Sequence, residues 1–330
     1  MSRRERIVEF DILRSMSILL LFFHHSNAYE LGLLGHPLAP LRPFVGTFVL
    51  GAFVFVAGYL SIRAQEDLRG FLRSRISRVY LPYVVALLSF IAILGVRLSA
   101  RELVIHLLGL QMVLAPRLSH PIDTLWFVGM ILPFYVLFGI AARYVKHVLY
   151  LVLCLVLCTA ALVLVRTRLG LVEDRIFYYL GVYAVGLILA KTGRLQALTS
   201  PRWFPIKAAV WVLGIGLLTM YSDHYRTILS PGLVLSIAVF VLASILLVLS
   251  VARLPTIRNL CPGLRRSISY AAYVSYLLHR PIWRIVYLVY TPRTPTGTFL
   301  FTLTIGAPLV LFVSYALQKG YDLLTSNWRI

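Results

Sequence analysis

The chain has 330 residues, of which 60% are hydrophobic and only 13% charged, with a mean hydropathy of +0.85. A soluble domain is apolar over about half of its residues, so this composition excludes a water-soluble globular protein and implies an integral membrane protein. The net charge of +20 does not imply a nucleic-acid partner, because Lys and Arg sit mainly in short connections between apolar runs, where membrane topology accounts for them.

The first apolar run, 10–27, carries Asp11, Arg14, His24 and His25. Ionisable side chains inside a span cost from a few to more than about ten kcal/mol, so they point to function and to partners inside the bundle. The same groups spoil the apolar region that a cleaved leader needs, so the run is read as a membrane helix. At roughly 100° per residue, Arg14 and His25 project from one helix face about 16 Å apart, with Asp11 one turn below Arg14. One polar stripe is therefore expected along this helix. His24 points about 100° away from it and reads as a packing or gating residue.

The next apolar runs are 44–62, 79–96, 124–142, 148–165, 176–190, 207–222, 231–251, 268–290 and 298–318. Most are near the roughly twenty residues that cross hydrocarbon as a helix, and they lack the alternation of a barrel. The fold expected is all-α: a polytopic membrane helical bundle of about ten spans in a single domain, 1–330, with no soluble domain appended. Residues 103–115 are too short to span and contain His106 and Gln111, so they read as an interfacial or re-entrant helix. Alternate connections hold Arg3/Arg4/Arg6, Arg63 to Arg78, Arg143/Lys146, Lys191 to Lys207, Arg253 to Arg266, and Lys319/Arg329. By the positive-inside rule these connections and both termini are cytoplasmic. The outer side then includes 28–43, 97–123, 166–175, 223–230 and 291–297. Cys154, Cys158 and Cys261 form neither a disulfide framework nor a metal-ligand spacing and read as packing residues, and no metal is expected.

Arg14 followed by ten residues and His25, within EFDILRSMSILLLFFHH, resembles the signature of the acyltransferase 3 family. FVFVAGYLS at 53–61, FLRSRISRVYLPY at 71–83, DTLWFVGMILPFY at 123–135 and ISYAAYVSYLLHRPI at 268–282 are similar to further segments of that family in the same order. One departure is that some members carry acidic residues shortly after the tryptophan, whereas Trp126 is followed here by Phe127, Val128, Gly129, Met130, Ile131 and Leu132.

The resemblance implies a membrane enzyme that moves an acyl group, with acetyl as the leading expectation, from cytoplasmic acyl-CoA to a hydroxyl of a glycan or lipid-linked sugar outside the cytoplasm. Imidazole titrates near 6.5 and suits removal of the acceptor proton, which makes His25 the expected general base or transient acyl carrier. Its plain alternative is interhelical hydrogen bonding. Arg14 is expected to bind phosphate or to hold Asp11, against an alternative of snorkelling to headgroups. Arg75 and Arg78 suit the phosphates of coenzyme A, because guanidinium forks pair bidentately with phosphate, although topology alone also places arginines there. His279, beside Arg280 and Pro281 at membrane depth, reads as a cavity lining that places a substrate. Trp126 reads equally as a sugar platform or an interface aromatic. Acyl-CoA, a glycan acceptor and membrane lipids are the partners expected, in the cytoplasmic membrane. A transporter or flippase for a lipid-linked saccharide is the alternative function, although no internal repeat is visible.

Overall fold

The computed structural model of the chain describes residues 6–26, 28–33, 36–63, 68–221 and 230–325. Arg3, Arg4 and Arg329 of the basic terminal segments, and most of the 223–230 connection, lie outside the described residues. The architecture is carried by α1 (Val8–His25), α2 (Arg42–Arg63), α3 (Leu68–Leu94), α4 (Ala100–Leu107), α5 (Trp126–Tyr144) and α6 (Val148–Leu169), followed by α7 (Arg175–Thr192), α8 (Pro201–Tyr221), α9 (Pro231–Val251), α10 (Pro262–Val289) and α11 (Pro295–Leu324). A two-residue hairpin, β1 (Gly32–Leu33) against β2 (His36–Pro37), follows α1.

Local sequence explains several boundaries. Pro231, Pro262 and Pro295 open α9, α10 and α11, at the one helical position where a fixed φ and a missing N–H carry no penalty. Ser99 and Glu102 form a capping box that starts α4, satisfying two otherwise orphaned backbone donors. The stretch expected as a helix over 103–115 is helical only over Ala100–Leu107. Eight residues rise about 12 Å, well short of the hydrocarbon thickness. Beyond it the chain folds back through buried Gln111, whose Nε2 donates to the Tyr83 hydroxyl at 3.2 Å and to the Leu125 carbonyl at 3.3 Å.

Seven of the helices, α2, α3, α5, α6, α8, α9 and α11, are long and apolar enough to cross a membrane. The other three expected spans are helical over 18, 18 and 28 residues, as α1, α7 and α10. They are less apolar because they carry Glu9, Asp11 and Arg14, then Arg175, Lys191 and three tyrosines, then Arg265, Arg266, Arg280 and Arg284. These more polar helices pack inside: α1 lies against α2, α9 and α10, and α7 against α2 and α9. The most apolar helix, α6, faces outward, with Leu149, Leu153, Val156 and Leu157 exposed. A continuous apolar surface of that kind is what lipid covers, so the chain is a multi-pass membrane protein.

The basic connections meet at the N-terminal end of α1. Arg253 there approaches Glu9 at 3.8 Å and donates to the Gln196 carbonyl at 2.9 Å, and the Ser15 hydroxyl donates to the Arg265 carbonyl at 3.1 Å. The 97–123 and 166–175 connections meet at the other end, where Val172 and Glu173 donate to the carbonyls of Val113 and Met112 at 2.9 Å. Alternate connections thus share an end, the arrangement expected if 103–115 does not cross.

The α2–α7 crossing depends on paired glycines. A Cβ at Gly58 would lie 2.3 Å from the Tyr183 carbonyl oxygen, and one at Gly186 would lie 2.4 Å from that of Phe55. Backbone at that distance cannot yield without separating the helices. Gly186→Leu is expected to cost about 1–3 kcal/mol by overpacking and to lower the melting temperature in detergent by several degrees. An unchanged melt followed by tryptophan fluorescence would contradict this close contact.

Candidate active site

Helix α1 sets the frame of the site. Its first turn carries Asp11, 4% exposed, which accepts from Arg6 Nε and, at 2.8 Å, from the Ser269 hydroxyl of α10. Asp11 is therefore paired with Arg6, and among the described residues it makes no ion pair with Arg14. Arg14, one turn on, shares its electrostatic surroundings with Asp11, Tyr135, Arg6 and Arg75. The stripe expected between Arg14 and His25 is not continuously polar. Ile18 and Leu21, four and seven residues after Arg14, occupy that face and are buried, with Phe22 beside them. The helix carries polar groups at both ends and an apolar middle between them.

At the far end, His25 stacks on His279 of α10, with ring centroids 5.1 Å apart and planes within 20°. His279 Nδ1 lies 2.8 Å from the Tyr276 carbonyl. A carbonyl only accepts, so Nδ1 carries the proton and Nε2 presents a lone pair. That Nε2 is buried and without a hydrogen-bond partner. Phe22 and Trp283 wall the pair, with the Trp283 ring centroid 5.1 Å from that of His279. Pro281, inside α10, removes a backbone donor at this level and releases the carbonyl four residues earlier. Tyr276 fixes the helix here, donating to the Thr124 carbonyl at 2.7 Å.

His24 turns away from His279, and its Nδ1 lies 2.8 Å from the Tyr29 hydroxyl. Burial pushes the Tyr29 phenol up to about 12, with Arg42 acting in the opposite sense, so this hydroxyl stays protonated at neutral pH. His24, His25 and Tyr29 open onto a cavity of about 420 Å³ whose other walls include Arg42, Arg280, Trp283, Arg284 and Tyr287. Among the described residues no carboxylate lies within ion-pair distance of His25, and Arg280 and Arg42 share its cavity. The field around His25 is therefore positive and suited to charge that develops on an oxygen or a sulfur.

The opposite end holds a cluster that spacing alone did not reveal. Arg75 lies over the rings of Phe71 and Tyr135, at 5.0 and 4.6 Å, and Arg143 lies over Phe71 at 4.1 Å. Both also bond the last turn of α2, Arg75 to the Leu60 carbonyl at 3.2 Å and Arg143 to the Ser61 carbonyl at 3.0 Å. Cations at a helix C-terminus are favourable for its dipole, so each arginine has a structural duty. Arg75 Nε remains buried without a hydrogen-bond partner. A turn of π-helix at 76–80 follows Arg75 and another, 135–139, begins at Tyr135, irregularities that recur at functional sites. Arg78 is exposed, on the π-turn that follows Arg75. A second cavity of about 240 Å³ opens at this end beside Arg6, Glu9, Arg253 and Arg258.

Trp126 sits apart from the His25 cavity. It is buried under Arg175, at 4.3 Å, and tilted against Tyr179, with centroids 6.3 Å apart. The residues the sequence reading missed are Arg143, Tyr29, Arg42, Trp283 and Arg284. A signal existed for Arg284, which follows Arg280 by four residues and so shares its helix face.

Residues 7–319 match the family model of the acyltransferase 3 domain, described as an acyltransferase domain. The chain belongs to the acyltransferase 3 family. No curated protein and no solved structure matches it.

As an acyltransferase, the protein places its charged α1 groups at the two ends of one helix, and Asp11 anchors the first of these. Asp11→Ala would leave the Ser269 hydroxyl without its acceptor and Arg6 without its partner. The expected loss is about 1–3 kcal/mol, with Asn at this position retaining the acceptor and most of the stability. Thermal unfolding of the two variants in detergent checks this, and equal losses for both would contradict the hydrogen-bond account.

Proposed function

We propose that the protein transfers an acyl group, acetyl in the first instance, from acyl-CoA on the cytoplasmic side to a hydroxyl of a glycan or lipid-linked sugar on the outer side. The observation that carries the reading is the His25–His279 stack, placed where the apolar middle of α1 meets the 420 Å³ cavity. Ten crossings with both termini inside follow from the positive-inside rule, which puts the arginine-rich end in the cytoplasm and the His25 end outside. The phosphates of the donor dock at the arginine end, where Arg14 and the unpartnered Arg75 Nε face inward and Arg78 stands at the rim. The Ile18–Leu21 face between the two ends is apolar and closed by packing, so α1 and α10 part along it to admit the pantetheine arm, and the apolar lining then excludes water from the thioester.

In the transfer step, His25 takes the proton of the acceptor hydroxyl as its oxygen attacks the thioester carbonyl. The new C–O bond forms, the C–S bond breaks, and the proton passes to the departing sulfur, leaving an acyl ester and free CoA thiol. The positive field of Arg280 and Arg42 stabilises the oxyanion between these steps. His279, held by its Nδ1–H on the Tyr276 carbonyl, keeps the His25 ring in register. Trp126 stands outside this path in the present geometry and contributes by supporting the Tyr179 and Arg175 wall.

Purified protein supplied with radiolabelled acetyl-CoA and membrane glycolipid extract is expected to turn over the thioester. His25→Ala is expected to lower that rate by about 10²–10⁴-fold, the range for loss of a general base, with insertion intact. Full turnover in that variant would remove His25 from the chemistry. Arg75→Gln is expected to raise KM for acetyl-CoA with a smaller change in kcat, as loss of uniform binding does. Cysteines introduced as His120→Cys and Arg202→Cys, in a background without Cys154, Cys158 and Cys261, test the orientation. His120 and Arg202 are both exposed, at opposite ends of the bundle. An impermeant maleimide is expected to label the first in intact cells and the second only after permeabilisation; the reverse pattern would invert the direction of transfer.

A further inference from the structure

Among the described residues, the lining of the cavity beside His25 is positively charged. Arg42, Arg280 and Arg284 line it, and among those described residues no carboxylate does. Arg280 has one acidic neighbour, Asp123 at 3.3 Å, whose own carboxylate is 76% exposed. Its Nε–H is buried and has no hydrogen-bond partner. Arg280 and Arg284 are one turn apart on α10, a like-charge spacing that destabilises a helix. Arg42 opens α2, where the helix dipole is already positive and a cation is disfavoured. Membrane sorting does not explain the cluster either, because the rule that gathers arginines on the cytoplasmic side depletes them here.

We infer that the acceptor bound in this cavity is an anionic glycan, one carrying a phosphate or carboxylate between Arg42, Arg280 and Arg284. The inference rests on the proposed acyl-transfer reading of the same cavity and adds the class of its acceptor. Guanidinium forks pair bidentately with carboxylate and phosphate, and a ligand anion supplies the counter-charge that the lining lacks. Tyr29, Trp283 and Tyr287 give the cavity flat ring faces against which a sugar can lie. The anion belongs either to the sugar, as a uronate, or to the diphosphate that joins a sugar to its lipid carrier. Both have the same chemistry at the arginines, and they differ in the lipid tail.

Binding to protein in nanodiscs of phosphatidylcholine separates these cases without depending on turnover. The probes are trigalacturonate against maltotriose, and farnesyl-diphosphate N-acetylglucosamine against neutral farnesyl N-acetylglucosaminide. The expected result is that one anionic probe binds at least about tenfold more tightly than its neutral counterpart at low salt, with the gap narrowing as salt rises. Which pair shows the gap identifies the source of the anion. Arg42→Gln with Arg284→Gln is expected to erase the gap, and lysine at both positions to restore most of it. Equal binding of charged and neutral probes, no binding of either anionic probe, or a gap that survives the glutamine substitutions would each overturn the inference. The same probes offered with radiolabelled acetyl-CoA then separate the two proposals. A charge preference in binding with no acyl transfer would overturn the transfer reading and leave the anion site. Equal transfer to neutral and anionic probes would overturn the anion site and leave the transfer.

Discussion

An ionised group in hydrocarbon must be given a partner by the bundle, and the arrangement of this protein follows from meeting that demand along α1. Asp11 is satisfied by Arg6 and by Ser269 of α10, so the first turn of α1 is tied across 258 positions of sequence to a helix near the other end of the chain. At the other end of α1, His25 stacks on His279, again on α10. The two helices thus meet at both ends, through a hydrogen bond at Asp11 and a ring stack at His25, with Ile18, Leu21 and Phe22 packed between. The apolar helices α6 and α8 then need only face lipid, and they do so with little of their surface buried. This inverts the pattern of a soluble protein, because here the polar helices are at the centre.

Most of the fold was legible in the sequence because hydropathy and loop charge are strong signals in a membrane chain. Apolar length found each long helix, but it missed their more polar first turns: α3 begins at Leu68, eleven residues before the expected 79, because Arg69, Arg73, Arg75 and Arg78 lower the hydropathy there. The boundary of α4 was missed because Gln111, counted inside an interfacial or re-entrant helix, lies beyond its end and satisfies its amide on Tyr83 and the Leu125 carbonyl, partners that no local pattern reveals. The three least apolar expected spans, α1, α7 and α10, fall short of a purely compositional standard for the same reason that they matter. Several of their polar groups, among them Asp11, Tyr183 and Tyr276, are partnered inside the bundle, where composition cannot see the partner.

The candidate site divides along the same line. His25 and His279 were found separately, each from its depth and its neighbours, and only the tertiary fold brings their rings to 5.1 Å. Helical periodicity correctly put Arg14 and His25 on one face but said nothing of Ile18 and Leu21, which fill that face between them. Arg75 and Arg78 looked equivalent by spacing. The π-turn that begins after Arg75 breaks that equivalence, leaving Arg75 over Phe71 and Tyr135 and Arg78 exposed. Arg143 was read as a topological charge because its partners, Phe71 and the Ser61 carbonyl, belong to other helices.

The central claim is that the donor reaches from the arginine end of α1 to the cavity beside His25, with the reacting carbon held at the histidine. The most direct measurement is a cryo-electron microscopy structure of the protein in a nanodisc with a non-hydrolysable acetyl-CoA analogue in which the thioester sulfur is replaced by methylene. The account predicts phosphate density near Arg75 and Arg14, the pantetheine along Ile18 and Leu21, and the acyl carbon beside His25, with the cavity on its far side left open for the acceptor hydroxyl to reach an attack distance of about 3–3.5 Å. Phosphate density in the Arg42, Arg280 and Arg284 cavity, or an acyl group remote from His25, would contradict it.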